Sequence, residues 1–356
     1  MPRHAPPTVV GIDLFCGAGG LTLGLRQAGI DVVAGVDLDP TCEFPFVANN
    51  GSLFIEADVR DLSGREVRKA YPKDSIRLLA ACAPCQPFSP LRRAKTSDTE
   101  RWGLVRAFRR LVSEVRPELV TMENVPALAS NPVFDRFVRA LKRWGYSVDW
   151  ASVYCPRFGI PQHRRRLVLL ASAIGPVRVP LGDLDQAHFR TVRQAIGRLP
   201  RVDAGKTDPK DPLHVARSVS EHNMRRLRAS TPGGSWRDWP DDLRADCHKR
   251  TTGSTFGNVY GRMSWDEPAP TITTLARSFG SGRFGHPEQD RALTLREAAV
   301  LQTFPRNYRF APARDIPFLS DMGRLIGNAV PPRLAYFIGL ELMRVASART
   351  EQKGQR

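Results

Sequence analysis

An apolar run, Thr8-Val9-Val10-Gly11-Ile12-Asp13-Leu14-Phe15, passes directly into Cys16-Gly17-Ala18-Gly19-Gly20, and this junction constrains the fold more than any other part of the chain. The run has the length and content of a buried strand. Glycines then allow a tight turn, and the stretch from Leu21 to Ala28, closed by Gly29, has a helical pattern. A second β-rich run, Asp31 to Val36, ends at Asp37 and completes a βαβ unit, which predicts a parallel sheet.

The alternation continues. A strand over Arg77 to Ala81 precedes a helix whose apolar face is Leu104, Phe108, Leu111, Val112 and Val115, ended by Arg116-Pro117. A strand over Glu118 to Met122 runs into Glu123-Asn124-Val125-Pro126, and the next helix carries Phe134, Phe137, Val138 and Leu141 before Gly145. Further strands are expected near Ser147 to Tyr154 and Leu167 to Ala171. The fold class is therefore α/β, a doubly wound, Rossmann-like open sheet. From about Ala173 the chain turns to Pro, Gly, Asp and Arg with few apolar runs, which marks a second, smaller domain. Leu334 to Val345 is again apolar and helical, and is expected to return to the first domain. The domain boundaries expected are 1–172 plus 321–356 for the first and 173–320 for the second.

Lys and Arg number 53 against 36 Asp and Glu, a formal charge of +17 spread along the chain, which points to a polyanionic partner, nucleic acid first. The first residues lack the apolar core of a signal peptide, and no apolar run approaches the roughly 18 residues that cross a bilayer. A cytoplasmic monomer away from membranes is the expectation. The six cysteines lie far apart except for the pair Cys82 and Cys85, a poor disulfide framework for a chain this long, so reduced thiols are expected.

Two places carry chemistry. At the glycine turn, Gly17-x-Gly19-Gly20 lets a ligand approach the backbone, and Asp37 stands where an acid accepts hydrogen bonds from ribose hydroxyls. Thr22 breaks the full dinucleotide pattern, which disfavours a nicotinamide oxidoreductase. Asp58-Val59 are candidates for the adenine, or merely a strand-ending turn. At the second place, Ala83-Pro84-Cys85-Gln86-Pro87 follows a buried strand, and two prolines around a thiol make a stiff turn that presents it. Cys82-x-x-Cys85 alone cannot fill a tetrahedral metal site, and no second cysteine pair exists, so no metal is expected. A nucleophilic thiol needs partners; Glu123, Arg164 and Arg166 are candidates.

These segments, in this order, resemble the C5-cytosine DNA methyltransferase family. Asp13-Leu14-Phe15-Cys16-Gly17-Ala18-Gly19-Gly20 resembles its cofactor loop, Pro84-Cys85-Gln86 its nucleophile loop, and Glu123-Asn124-Val125 its base-binding acid. Gln162-His163-Arg164-Arg165-Arg166 is similar to its arginine motif, Arg291 to Glu297 to its late helix, and Gly327-Asn328-Ala329-Val330-Pro331-Pro332 to its last motif. The resemblance covers nearly the whole chain.

It implies S-adenosylmethionine as cofactor, held by Phe15, Gly17, Gly19, Gly20, Leu21, Asp37, Leu38, Asp58, Val59, Pro84, Asn328 and Val330. Many relatives carry a bulky aromatic where Leu38 follows Asp37. It also implies that Cys85 attacks cytosine C6, that Glu123 engages N3, that Arg166 holds O2 and that Arg164 steadies Glu123. Gln86, Ser89, Arg92, Arg93, Gln162 and Thr273 would meet double-stranded DNA, and the variable region from Ala173 to Gln289 would read the target sequence. Pro90 to Arg101 is either a lid that closes on phosphates or a solvated loop. Trp236, Trp239, His248, Lys249 and Arg250 are either DNA contacts or packing and surface residues. A cognate restriction endonuclease acting separately is a further implied partner. The rivals are a catalytically silent DNA-binding regulator and an RNA-directed enzyme of the same chemistry.

If phosphate contacts dominate the affinity for DNA, the logarithm of the binding constant will fall steeply and linearly with the logarithm of salt concentration. Titration of a labelled duplex between about 50 and 200 mM salt checks this, and a flat line would refute it.

Overall fold

The computed structural model describes residues 8–84, 102–250, 257, 259–312 and 319–354. Two compact units emerge: one comprises the described residues of Met1–Tyr154, Arg165–Gly182 and Val330–Arg356, the other Cys155–Arg164 and Asp183–Ala329. The division departs from the sequence boundaries in three short stretches. Residues 155–164 and 321–329 lie with the second unit, and residues 173–182 with the first.

The first unit is built on a sheet of seven strands: β1 (Val9–Leu14), β2 (Asp31–Asp37), β3 (Leu53–Glu56), β4 (Ile76–Ala81), β5 (Leu119–Asn124), β6 (Ser147–Tyr154) and β8 (Arg165–Ser172). Their order across the sheet is β3-β2-β1-β4-β5-β8-β6. β1 pairs in parallel with both β2 and β4, and β4 with β5. β1 and β5 are buried along their whole length, as near-continuous apolar runs in a doubly covered sheet should be. The expectation of a parallel sheet fails at one strand: β8 runs antiparallel to both β5 and β6. Hydrophobic periodicity reports burial and not direction, so the sequence could not show this reversal.

Helices cover the sheet. α1 (Gly20–Gln27) follows β1; α2 (Glu43–Asn50) and α3 (Gly64–Lys69) flank β3. α4 (Gly103–Val115) follows β4, and α5 (Pro132–Arg143) follows β5. α5 starts cleanly because Asn131 accepts a hydrogen bond from the Val133 amide and Pro132 fills the first turn, where its missing N–H costs nothing. Phe108 of α4 and Phe137 of α5 meet edge to face at 5.5 Å within the main core.

The second unit holds α6 (Val192–Ile196), α7 (Glu221–Ala229), α8 (Asp246–Lys249), α9 (Leu295–Leu301) and α10 (Leu319–Asn328), with two short sheets. β9 (Thr207–Asp208) pairs with β10 (Asp211–Val215), and β7 (Gln162–His163) lies parallel to β11 (Ala269–Pro270). A second core gathers Leu227, Trp236, Trp239, Leu243 and Phe279, so both tryptophans are packing residues. His248 stacks on Trp236 at 4.4 Å, whereas Lys249 and Arg250 are exposed. Nearby, the buried pair Arg291 and Glu297 is bidentate, at 2.8 Å on each arm, and Thr294 caps α9.

The last helix, α11 (Pro332–Gly354), returns to the first unit and packs on α1, as expected from the apolar run near the end. Gly24 permits this approach: a Cβ there would lie 2.2 Å from the Pro332 carbonyl oxygen and 2.4 Å from the Ala335 Cβ. No helix among the described residues is long and apolar enough to cross a membrane. Replacing Gly24 with alanine should push the two helices apart and cost about 1–3 kcal/mol of stability. Chemical denaturation checks this, and an unchanged midpoint would show that the two helices yield without strain.

Candidate active site

Parallel pairing of β1 with β2 and β4 brings the glycine turn, Asp37 and the end of β4 to one edge of the sheet, at the carboxyl ends of its strands. Open α/β sheets hold their ligands at such an edge, where the strand order reverses about β1. The turn is unusual in its backbone. Phe15 (φ 60°), Gly17 (φ 52°) and Gly19 (φ 82°) all lie in the left-handed region. For Phe15 this conformation costs on the order of 1 kcal/mol, and such strain collects at functional turns. A Cβ on Gly17 would meet nothing within 4 Å, so the turn faces open space.

Asp37 is tied into the turn: Oδ2 accepts from the Gly17 amide at 2.9 Å and Oδ1 from the Asp39 amide at 3.0 Å. Each oxygen retains a lone pair for a further donor. Burial pushes the Asp37 carboxyl above its ordinary pKa. Leu38, next along, is 62% exposed and offers an apolar surface beside it. Asp58 is less free, because its carboxylate is engaged by the Arg60 guanidinium and amide, which hold it below the usual carboxylate range. Leu21, Val59 and Val330 are buried among core side chains, so what they offer a ligand is main chain. Gly20 opens α1, Pro84 is exposed just past β4, and Asn328 is exposed at the end of α10 in the second unit.

The acid of the second place is Glu123, at the end of β5 and 3% exposed. Its Oε1 lies 2.9 Å from Nε of Arg166. The charges meet without an aligned hydrogen bond, so Oε1 keeps no hydrogen-bond partner among the described residues. Oε2 receives the Cys82 thiol at 3.1 Å. The register explains both approaches. Ala81 pairs with Met122, so Cys82 stands beside Glu123 one step further along. Glu123 pairs with Val168 of β8, and Arg166 is the diagonal neighbour on the same face. Asn124 then donates to the Ala83 carbonyl at 3.1 Å and fixes the stem from which the segment carrying Cys85 leaves. Nothing in the residue pattern points to these roles for Cys82 and Asn124; only the strand register reveals them.

Two assignments change. The resemblance implies that Arg164 steadies Glu123, yet the guanidinium beside Glu123 belongs to Arg166. Arg164, buried in the second unit just before β8 begins, donates to the carbonyls of Ile272, Gly327 and Ala329. Gln162, expected at the DNA, is fully buried instead. It donates to the Leu301 carbonyl and to the Gln302 side chain, and accepts from the Ile272 amide, so its polar atoms are satisfied inside the unit. Thr273 is exposed, on a segment where α10 comes so near that a Cβ on Gly327 would lie 2.3 Å from the Thr274 amide nitrogen. Cys85, Gln86, Ser89, Arg92 and Arg93, with the whole lid segment up to Arg101, lie outside the described residues.

The parallel strands thus set this acid and the glycine turn on one edge of an open α/β sheet. Residues 9–344 match the family described as C-5 cytosine-specific DNA methylase, and the chain belongs to that family. It is thus a DNA (cytosine-5-)-methyltransferase. It is 44% identical over 345 residues to the Type II methylase M.HgiDII of Herpetosiphon aurantiacus, covering 96% of this chain and 97% of the relative. To the Type II methyltransferase M1.BsuMI of Bacillus subtilis it is 29% identical, over 93% of this chain and 80% of that one. Among solved structures, a putative DNA modification methyltransferase encoded within an E. coli prophage superposes with a TM-score of 0.70 at 23% identity, covering 95% of this chain and 99% of that one. The S. pombe Dnmt2 methyltransferase superposes at 0.58 and 18%, over 94% and 98%. These two likenesses speak for the fold.

Asp13, under the cofactor turn, is fully buried; its Oδ2 accepts from the Thr22 hydroxyl at 2.7 Å and its Oδ1 has no partner among the described residues. Burial, with the Asp37 charge adding to it, pushes its pKa up to about 7 despite the Thr22 hydrogen bond. The folded state therefore favours the protonated acid. Its contribution to stability is full below about pH 4 and is lost as pH rises towards 7, at ~1.4 kcal/mol per unit. Asp13→Asn removes this titration. Denaturation midpoints between pH 4 and 8 should show the parent losing ground to the variant as pH rises; parallel profiles would refute it.

Proposed function

We propose that the chain methylates C5 of a flipped-out cytosine in a specific duplex DNA sequence, with Cys85 as covalent nucleophile and S-adenosylmethionine as methyl donor. The observation that carries this reading is Glu123: a buried carboxylate at the carboxyl edge of the sheet whose Oε1 has a charge partner but no aligned hydrogen-bond donor among the described residues. An acceptor of this kind suits the polar edge of a pyrimidine.

The donor set of the first place fits the cofactor. A left-handed turn open above Gly17, the Asp37 oxygens with lone pairs to spare and the exposed Leu38 match a nucleoside with ribose hydroxyls and an apolar base face. When bound, S-adenosylmethionine supplies an electrophilic methyl group. The protein does the rest. The Cys85 thiolate forms a bond to C6 and sends an electron pair toward C5, while a proton shared between Glu123 and N3 neutralises the charge that develops on the ring and Arg166 balances the carboxylate beside it. Once C5 carries the methyl group, its proton passes to solvent water acting as base, the electron pair of that C–H bond reforms C5=C6, and the C6–S bond breaks to return the Cys85 thiolate. The target base must first leave the helix, at a cost of a few kcal/mol. In this reading residues 183–329 include the target-recognition region, Thr273 meets the DNA backbone, and a separate endonuclease is the counterpart, in keeping with the Type II names of the relatives.

Cys85→Ser should abolish methyl transfer to duplex DNA, a loss of at least several thousandfold, while leaving cofactor affinity within about twofold. Methylation-sensitive sequencing of a host genome expressing the parent and the variant reads activity, modified base and target together. New 5-methylcytosine in the variant, or none in the parent, would overturn the reading.

A further inference from the structure

Away from the acid and the cofactor turn, a depression of about 250 Å³ lies between α4 and α5, lined by Val105, Arg106, Arg109, Val133 and Arg136. Arg106 and Arg109 are three residues apart and share a face of α4, and Arg136 reaches the same hollow from α5. Val105 and Val133 are buried and make it apolar at the base. Three arginines thus line one small hollow, and none of them has a carboxylate partner among the described residues. Their neighbours behave otherwise. Arg110 is paired with Glu114, and Asp135, the acid nearest in sequence to Arg136, is turned to Arg139 instead.

Like charges beside an apolar base repel one another, and an arrangement that leaves them unpaired suits an external anion. Position favours one anion. α4 is entered from the segment that carries Cys85, and α5 from the turn that follows Glu123, so both helices start at the sheet edge that carries the site. A phosphodiester has two free oxygens in the geometry that guanidinium forks match, and three cations exceed what a lone carboxylate needs. We propose that Arg106, Arg109 and Arg136 seat one phosphodiester of the DNA backbone, outside the nucleotide that reacts. The inference rests on the reading of duplex DNA as substrate.

The test compares the full-length parent with the triple variant Arg106→Gln, Arg109→Gln, Arg136→Gln. A control, Arg139→Gln, Lys142→Gln, Arg143→Gln, removes the same charge from the far half of α5. Duplex binding is titrated across salt, and cofactor affinity and kcat at saturating DNA are measured alongside. With one phosphate no longer neutralised, the slope of log K against log salt should become shallower by about 0.9 in the pocket variant. KM for DNA should rise, with kcat and cofactor affinity unchanged and the control close to the parent. An unchanged slope overturns the seat, and so does a control that weakens as much, since the effect would then belong to overall charge. Competition by inorganic phosphate for the pocket without any change in the duplex slope likewise overturns it, in favour of a free anion. A parent that binds and methylates DNA while the pocket variant keeps its slope refutes the seat alone. A parent inactive on DNA refutes the broader reading.

Discussion

A carboxylate taken out of water must be met by positive charge or by hydrogen-bond donors, and the pairing of Glu123 with Arg166 is the constraint on which the first unit turns. The acid ends β5, in the middle of the sheet; the arginine comes from the neighbouring strand, near its beginning. The thiol of Cys82 closes the other side from the end of β4. Three strands must therefore keep their register together for one carboxylate to stay matched, and breaking such a pair typically costs about 3–5 kcal/mol.

The cofactor turn shows the opposite arrangement. Its hydrogen bonds to Asp37 are made by backbone amides, its left-handed residues include a phenylalanine, and the acid beneath it is protonated up to about pH 7. Negative charge is thus held back at Asp13 by burial and raised in energy at Asp37.

Much of this is legible in the residues. The apolar runs of β1, β4 and β5 stand out because each is nearly uniform and ends in glycine, proline or a polar break, and the helix faces of α4 and α5 because Phe108, Leu111, Phe134 and Phe137 recur at helical spacing. The direction of β8 is not legible, since a run such as Leu167 to Ala171 looks the same either way. From that follows the place of Arg166 beside Glu123, which depends on strand partners rather than on spacing within a motif. Gln162 misleads for a related reason: a glutamine looks like a surface residue until Leu301, Gln302 and Ile272 are found around it. The tryptophans at 236 and 239, open to either reading in the sequence, pack together with Phe279 in a core.

The one reversed strand works as a gauge. Because β8 runs against β5, the side chain facing the end of β5 comes from the start of β8, and its position is counted from the Glu123 and Val168 pair. Arg165, one residue before, points to the other face and lies over the Tyr154 ring at 4.6 Å. A slip of one residue would exchange the two arginines, turning the guanidinium that meets the acid into one that lies on an aromatic ring. Two residues, 166 to 168, therefore measure the site, and an insertion between Arg166 and Val168 would carry the guanidinium away from Glu123.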